Sequence, residues 1–379
     1  MKIAQIAPLM ERVPPQLYGG TERVVSYLTE ELVRQGHDVT LFASADSMTS
    51  ARLVACAERA LRLDPGAPSP LAQQVAMLER VRQCATQFDV MHFHIDYLHF
   101  PLCRQQAWPA LTTLHGRLDL VEAQRFYREF AELPLVSISH SQRAPMPPVN
   151  WAGTVYHGLP HELYDYHATA GDYLAFVGRI SPEKRPDRAI EIARRAGMRL
   201  RIAAKVDRAD QLYFNEKVRP LLADPLVEFI GEVGEADKER LLGGARALLF
   251  PVDWPEPFGL VMIESIACGT PVIAWRCGSV PEVIDHGVSG FIVDSLEEAV
   301  AAVERIVALD RARVRAAFEA RFSASRMASD YVALYRQLGA RDRWGRSTFR
   351  HDRRAVSMLP LAALRNRASR DRNSARAGR

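Results

Sequence analysis

The chain has 379 residues, 48% of them apolar and 25% charged, with 49 Lys and Arg against 45 Asp and Glu for a formal net charge of +4. At ~100–200 residues per domain this length favours two globular domains, and the composition excludes a wholly disordered chain. Near-balanced charge argues against a nucleic-acid role, unless the sum conceals a segregated tail.

Lys2 leads into a short apolar run, Ile3 to Ala7, that ends at Pro8. A signal peptide needs a longer apolar stretch and a small-residue cleavage site, so a cytoplasmic protein is expected. No uncharged run reaches the ~18–20 residues that span a bilayer. The five cysteines (Cys56, Cys84, Cys103, Cys268 and Cys277) include no C-x-x-C pair and read as thiols in a reducing compartment.

Strand-like and helix-like segments alternate from the start. Lys2–Pro8 reads as a buried strand, and a Pro/Gly-rich loop follows through Gly20. Thr21 is the expected N-cap of a helix with apolar positions Val24, Val25, Leu28, Leu32 and Val33, stopped by Gly36. His37–Ala43, Val90–Phe93, Leu111–Leu114 and Leu135–Ile138 suit further strands. After a polar stretch from about His157 to Gly171 the pattern restarts. Tyr173–Val177, Leu200–Ala204, Val227–Ile230, Ala247–Phe250 and Pro271–Ala274 are strand candidates, with Phe291–Val293 as an edge strand. Helices are expected over Pro186–Ala196, Lys238–Ala245 and Ser325–Leu338. Such alternation predicts two doubly wound α/β domains with parallel sheets, and the cleft between them is the default ligand site.

Three segments carry chemistry. Trp254-Pro255-Glu256-Pro257-Phe258-Gly259-Leu260 leads from a strand into a helix that begins near Gly259. Its first turn exposes unpaired N–H groups and a positive dipole end, which suit a phosphate. Glu256 sits on the turn, and Glu264 lies about 7.5 Å along the helix at 1.5 Å per residue. Phe176-Val177-Gly178-Arg179 reads as a strand, a glycine turn and then basic residues, with Lys184 following; both cations suit a diphosphate. Gly19-Gly20-Thr21 places a glycine pair ahead of a helix in the first domain, without the spacing of a dinucleotide fingerprint or a P-loop.

Taken in order, these motifs resemble the retaining family-4 glycosyltransferases of the GT-B fold. The resemblance runs from Lys2 to about Leu338. It rests on Glu256-Pro-Phe-Gly-Leu-Val-Met-Ile-Glu264, then Ala267-Cys-Gly-Thr-Pro-Val-Ile-Ala274, Gly278-Ser-Val-Pro-Glu-Val-Ile284 and Gly287-Val-Ser-Gly-Phe291. It implies two Rossmann-like domains facing a central cleft. An acceptor-side domain would occupy 1–157, a linker 158–171 and a sugar-nucleotide domain 172–320, with a closing helix over 321–340. It implies that a nucleotide-diphosphate sugar is the co-substrate, with no further cofactor and no metal. By resemblance Glu264 would hold the ribose, and Glu256 would contact the transferred sugar. Arg179 and Lys184 would neutralise the diphosphate beside the Gly259 and Leu260 amides, with Gly19 and Gly20 closing from the first domain. His115 matches a family position beside the transferred sugar. Lys205 follows Ala204 where many relatives have a glycine, and it is assigned to the donor site. No Asp-x-Asp supplies a metal clamp. The acceptor would be a hydroxyl on a small molecule, lipid or polysaccharide. A sugar-nucleotide epimerase and a non-catalytic nucleotide-sugar binder are the alternatives.

His92 and His94 alternate on one strand and share a face, but no third ligand accompanies them, and a metal site is not expected. His94 is placed on the acceptor side. Ser139-His140-Ser141 lacks a glycine-flanked elbow and reads as a helix cap or loop. Residues 341–379 hold twelve arginines and three acids, a charge of +9 that leaves −5 on residues 1–340. This tail reads as disordered, with peripheral contact to an anionic membrane as a second reading and nucleic acid as the least favoured.

Overall fold

The structure, a computed structural model, describes residues 1–348 except Tyr18, Pro65, Ala67 and Pro68, with residues 63 and 340–348 described by their backbone only. The first half of the chain builds a seven-stranded parallel sheet. Its strands are β1 (Lys2–Ile6), β2 (Asp38–Ser44), β3 (Arg52–Ala57), β4 (Val90–Phe93), β5 (Ala110–Thr113), β6 (Leu135–Ser137) and β7 (Trp151–Thr154), in the order β3-β2-β1-β4-β5-β6-β7. The second half builds a six-stranded parallel sheet from β8 (Tyr173–Arg179), β9 (Arg199–Lys205), β10 (Val227–Gly231), β11 (Ala247–Phe250), β12 (Val272–Trp275) and β13 (Gly290–Val293), ordered β10-β9-β8-β11-β12-β13. Burial on both faces explains the near-continuous apolar runs of the central strands: β4, β5 and β11 are buried at every residue. In each sheet the order reverses between the first strand and the fourth, and a crevice opens there beyond the strands' carboxyl ends.

Several expectations need correction. The strand expected to end at Val177 runs to Arg179, so Gly178 makes no turn. Pairing with β9 continues through Gly178↔Ala204 to Arg179↔Lys205. Thr21 is not the N-cap: the first helix spans Gly20–Arg34 with Gly19 at its cap. β3 and β7 went unread in the sequence. β3 is a half-exposed edge strand that begins on Arg52, and β7 is only partly buried throughout.

The segment 158–171 is irregular but packed. Leu159 and Tyr164 are buried, and a Cβ on Gly158 would lie 2.3 Å from the Ser323 carbonyl. Two buried arginines, Arg311 and Arg315, donate to the carbonyls of His167, Ala245, Tyr164 and Ala267, tying this segment to the second sheet's helices. The closing helix spans Ala324–Thr348, beyond the expected limit at 340. It returns to the first sheet, where Met327, Tyr331 and Tyr335 are buried. Met1–Gly339 forms one compact unit. The expectations of disorder and membrane contact for the Arg-rich tail fall almost wholly on 349–379, outside the described residues. Among the described residues no helix is long and apolar enough to cross a membrane.

Candidate functional site

A cavity of about 820 Å³ lies at the carboxyl ends of β4, β5, β8, β9 and β11. Gly19, Gly20, His115, Arg179, Lys184, Lys205, Glu256, Gly259, Leu260 and Glu264 all line it. Residues up to 245 positions apart in sequence thus meet because two switch points face one another.

The cations stand at strand ends. Arg179 closes β8 and Lys205 closes β9, side by side in register. Each is held by neighbouring carboxylates. Arg179 Nη2 donates to Glu183 at 2.5 Å, and its other nitrogens lie 3.8 Å from Asp207 and 3.4 Å from Asp210. Lys205 Nζ is 3.0 Å from Asp207. Burial pushes the Glu183 carboxyl up, but backbone N–H donors and Arg179 outweigh it and hold the group below its ordinary value. Lys184 pairs with the Glu256 carboxylate, whose Oε2 also accepts from the Trp254 indole N–H at 2.7 Å.

The helix Leu260–Ala267 begins at Gly259, which has φ +79° and no side-chain cap. A Cβ there would lie 2.8 Å from Met262 and 2.9 Å from Phe250, so only glycine leaves the first turn open to the cavity. One turn on, Glu264 is almost wholly buried and accepts from Lys238 Nζ at 2.7 Å. Lys238 also sits 3.1 Å from Glu235, which receives Arg23 from the first helix and the Tyr164 hydroxyl. Burial pushes Glu235 up, but Lys238 and Arg23 more than offset it, and its carboxyl stays below the ordinary range. This Arg23–Glu235–Lys238–Glu264 chain crosses the cleft, and the sequence reading missed its first three members. Rarity was the available signal: of five lysines in the chain, Lys184, Lys205 and Lys238 line the cavity.

Other contacts also bridge the two sheets' domains. Ser139 Oγ donates to the Pro257 carbonyl at 2.6 Å while accepting from the Gln142 amide, so it is the cap of a short helix, as its sequence context predicts. Glu282 accepts the His140 and Ser141 amides, each at 2.7 Å.

His115 follows β5 and faces a run of buried histidines. Its Nε2 is 2.9 Å from His94 Nδ1, and His94 Nε2 is 2.8 Å from Gln5 Oε1. The His157 ring stacks on His115 at 5.4 Å. Burial drives the His115 ring down to about 3 and holds His92, His94, His99 and His157 well below the ordinary imidazole value. These rings are neutral at physiological pH. His92 and His94 do share a face, 4.1 Å apart, yet only His94 reaches the cavity. The His92 nitrogens are taken by Tyr335 and Thr113, each at 2.7 Å. Among the described residues no group of three or more His, Cys, Asp or Glu is placed to hold a metal ion.

Comparison with known proteins bears on the family and the fold. A family model described as "Glycosyl transferases group 1" matches residues 167–321, and one described as "Glycosyltransferase Family 4" matches residues 18–151. The D-inositol 3-phosphate glycosyltransferase of Thermobispora bispora is 38% identical over 189 residues, 43% of this chain and 42% of that protein. The chain thus matches less than half the length of that relative. Sucrose-phosphate synthase of Thermosynechococcus elongatus superposes with a TM-score of 0.73 at 19% identity, over 90% of this chain and all of that one. Anabaena HepE, solved with UDP and glucose, superposes at 0.68 with 17% identity, over 89% of this chain and all of that one. At such identities the likeness is one of fold.

Proposed function

The chain belongs to the family-4 glycosyltransferases with the GT-B fold, and from that premise we propose that it moves a sugar from a nucleotide-diphosphate sugar to a hydroxyl acceptor with retention at the anomeric carbon. One observation carries the reading. A single cavity gathers three cations at or near strand ends, an open helix N-terminus and two glutamates on the neighbouring turn and helix. As the glycosidic bond to the diphosphate breaks, negative charge grows on the leaving oxygens. Arg179, Lys184, Lys205 and the Gly259 and Leu260 amides would stabilise that charge where it develops. Glu264 would take the ribose hydroxyls and Glu256 a hydroxyl of the transferred sugar, while Gly19 and Gly20 close on the donor from the other side. With cations in this role the reaction would need no bound metal, and no further cofactor. Anabaena HepE, solved with UDP and glucose, supports a nucleotide-sugar donor.

The test is a thermal-shift screen of nucleotide sugars, since a ligand that binds only the native state stabilises it by mass action. The preferred donor is then assayed with acceptors, starting from D-inositol 3-phosphate, the compound in the relative's name. Glu264→Ala should chiefly raise donor KM, and Glu256→Ala should chiefly lower kcat, with wild-type activity unchanged by EDTA. Wild-type kinetics in both variants would refute the site. Donor turnover without any acceptor would point instead to an epimerase.

A further inference from the structure

The histidine at the cavity wall is tied to a hydrogen-bond chain whose donors can be assigned one by one. Gln5, on β1, turns its amide nitrogen to the Tyr335 hydroxyl at 3.2 Å and its carbonyl oxygen to His94 Nε2 at 2.8 Å. A carbonyl oxygen only accepts, so His94 Nε2 carries a proton. His94 is neutral, because burial holds its ring well below the ordinary imidazole value, and its Nδ1 is therefore a bare lone pair. The contact of 2.9 Å from that Nδ1 to His115 Nε2 is then a bond donated by His115. His115 is neutral too, so its own Nδ1 is bare.

The far side of the chain agrees. Tyr335 receives the Gln5 amide and gives its proton to His92 Nδ1, and His92 Nε2 donates to Thr113, whose hydroxyl is 2.9 Å from Tyr331. His115, His94, Gln5, Tyr335, His92 and Thr113 then each give one proton to a named acceptor.

His115 lines the cavity, and its Nδ1 is buried without a hydrogen-bond partner among the described residues. A buried polar atom left without a partner is costly, and a bound molecule is the remaining source of one. We propose that Gln5 and His94 are positioning residues that lock His115 in its Nε2–H tautomer, so that its Nδ1 accepts a hydrogen bond from a hydroxyl of the sugar held in the cavity. The hydroxyl contact rests on the donor reading above; the tautomer does not. Tyr335 extends the lock to the closing helix, which thereby sets the chemistry of a ring in the first domain without touching the cavity.

The test is a long-range ¹H–¹⁵N spectrum of the full chain labelled at histidine, with His115 assigned by the signal that His115→Asn removes. The expected wild-type result is a proton on His115 Nε2 and a bare Nδ1. Turning the Gln5 amide over would reverse every donor in the chain, and a proton found on Nδ1 overturns the assignment. Gln5→Leu and His94→Phe should each give His115 a mixture of both tautomers. An unchanged Nε2–H tautomer in both would show that the chain does not set it. Those variants should lower kcat about tenfold with donor KM little changed, the loss expected of one hydrogen bond. For the contact itself, the Nδ1 resonance should move with the screened nucleotide sugar and stay in place with the nucleoside diphosphate alone. An Nδ1 signal unmoved by the bound nucleotide sugar overturns the hydroxyl contact. Failure of every nucleotide sugar to bind would refute the donor reading and the contact with it, while the tautomer is decided by the ligand-free spectrum.

Discussion

Four buried histidines and the half-buried His115, all neutral, make the fold acid-sensitive in a pH range where most proteins are at their most stable. His92, His94, His99, His115 and His157 all have folded-state values far below the ordinary 6.5 because burial disfavours the charged ring. A depressed histidine contributes stability that is present above the unfolded value and lost as pH falls below it. The unfolded chain takes up protons there and the folded one does not. Between pH 7 and pH 5.5 each such ring should cost about 1.2 kcal/mol, and the five together about 6 kcal/mol, comparable with the whole stability of many domains. Glu11, Glu22, Asp96 and Asp210, raised by burial, act in the opposite sense at the acid end of this window.

Urea unfolding followed by tryptophan fluorescence at pH 7.0, 6.25 and 5.5 measures the loss. His99→Phe supplies the control. It keeps the ring stacked on Phe93, whose centroid lies 3.8 Å away, and removes one titrating group. The loss between pH 7 and 5.5 should then shrink by about 1 kcal/mol. A wild-type free energy that changes by less than about 1 kcal/mol over the range would refute the neutral-histidine reasoning.

Gly278 has φ +56°, and a Cβ there would lie 2.4 Å from the Glu256 amide nitrogen and 2.5 Å from its carbonyl oxygen. Gly278→Ala should destabilise the fold by about 2 kcal/mol or more and displace the Glu256 turn, which paired denaturation and turnover measurements would show. Lys238→Met leaves Glu264 buried without its cation, and should lower stability by about 3 kcal/mol by urea titration. Adding Glu264→Gln should restore part of that loss; a double variant as unstable as the sum of the singles would deny the pairing.

The architecture was legible because fully buried parallel strands leave continuous apolar runs, as in Val90–Phe93 and Ala247–Phe250. Strand ends were less so. Gly178 has the composition of a turn, but the ladder to β9 holds it extended, and that ladder is a property of two strands rather than one. Thr21 looks like a better cap than Gly19, yet the helix is capped at Gly19, whose φ is +151° and where a Cβ would lie 2.7 Å from Pro15. The ten candidate residues were found by motif. Their partners were not, because Lys184 meets Glu256 across 72 positions and Arg23 meets Glu235 across 212. Local sequence carries no record of such pairings.

Those pairings bear on how a donor would be received. Four cations that line the cavity already face carboxylates: Lys184 faces Glu256, Arg179 faces Glu183, Lys205 faces Asp207 and Lys238 faces Glu264. A diphosphate entering the proposed site therefore exchanges one set of charge pairs for another, and its affinity reflects the difference between them rather than the sum of new contacts. Lys184 and Trp254 both donate to Glu256 Oε2, and Lys238 donates to Glu264 Oε1, so one oxygen of each glutamate already serves a lysine of the cavity. A lysine drawn toward a phosphate would return that oxygen to the hydroxyls of the ligand, and the diphosphate and sugar halves of a donor would then bind more tightly together than apart.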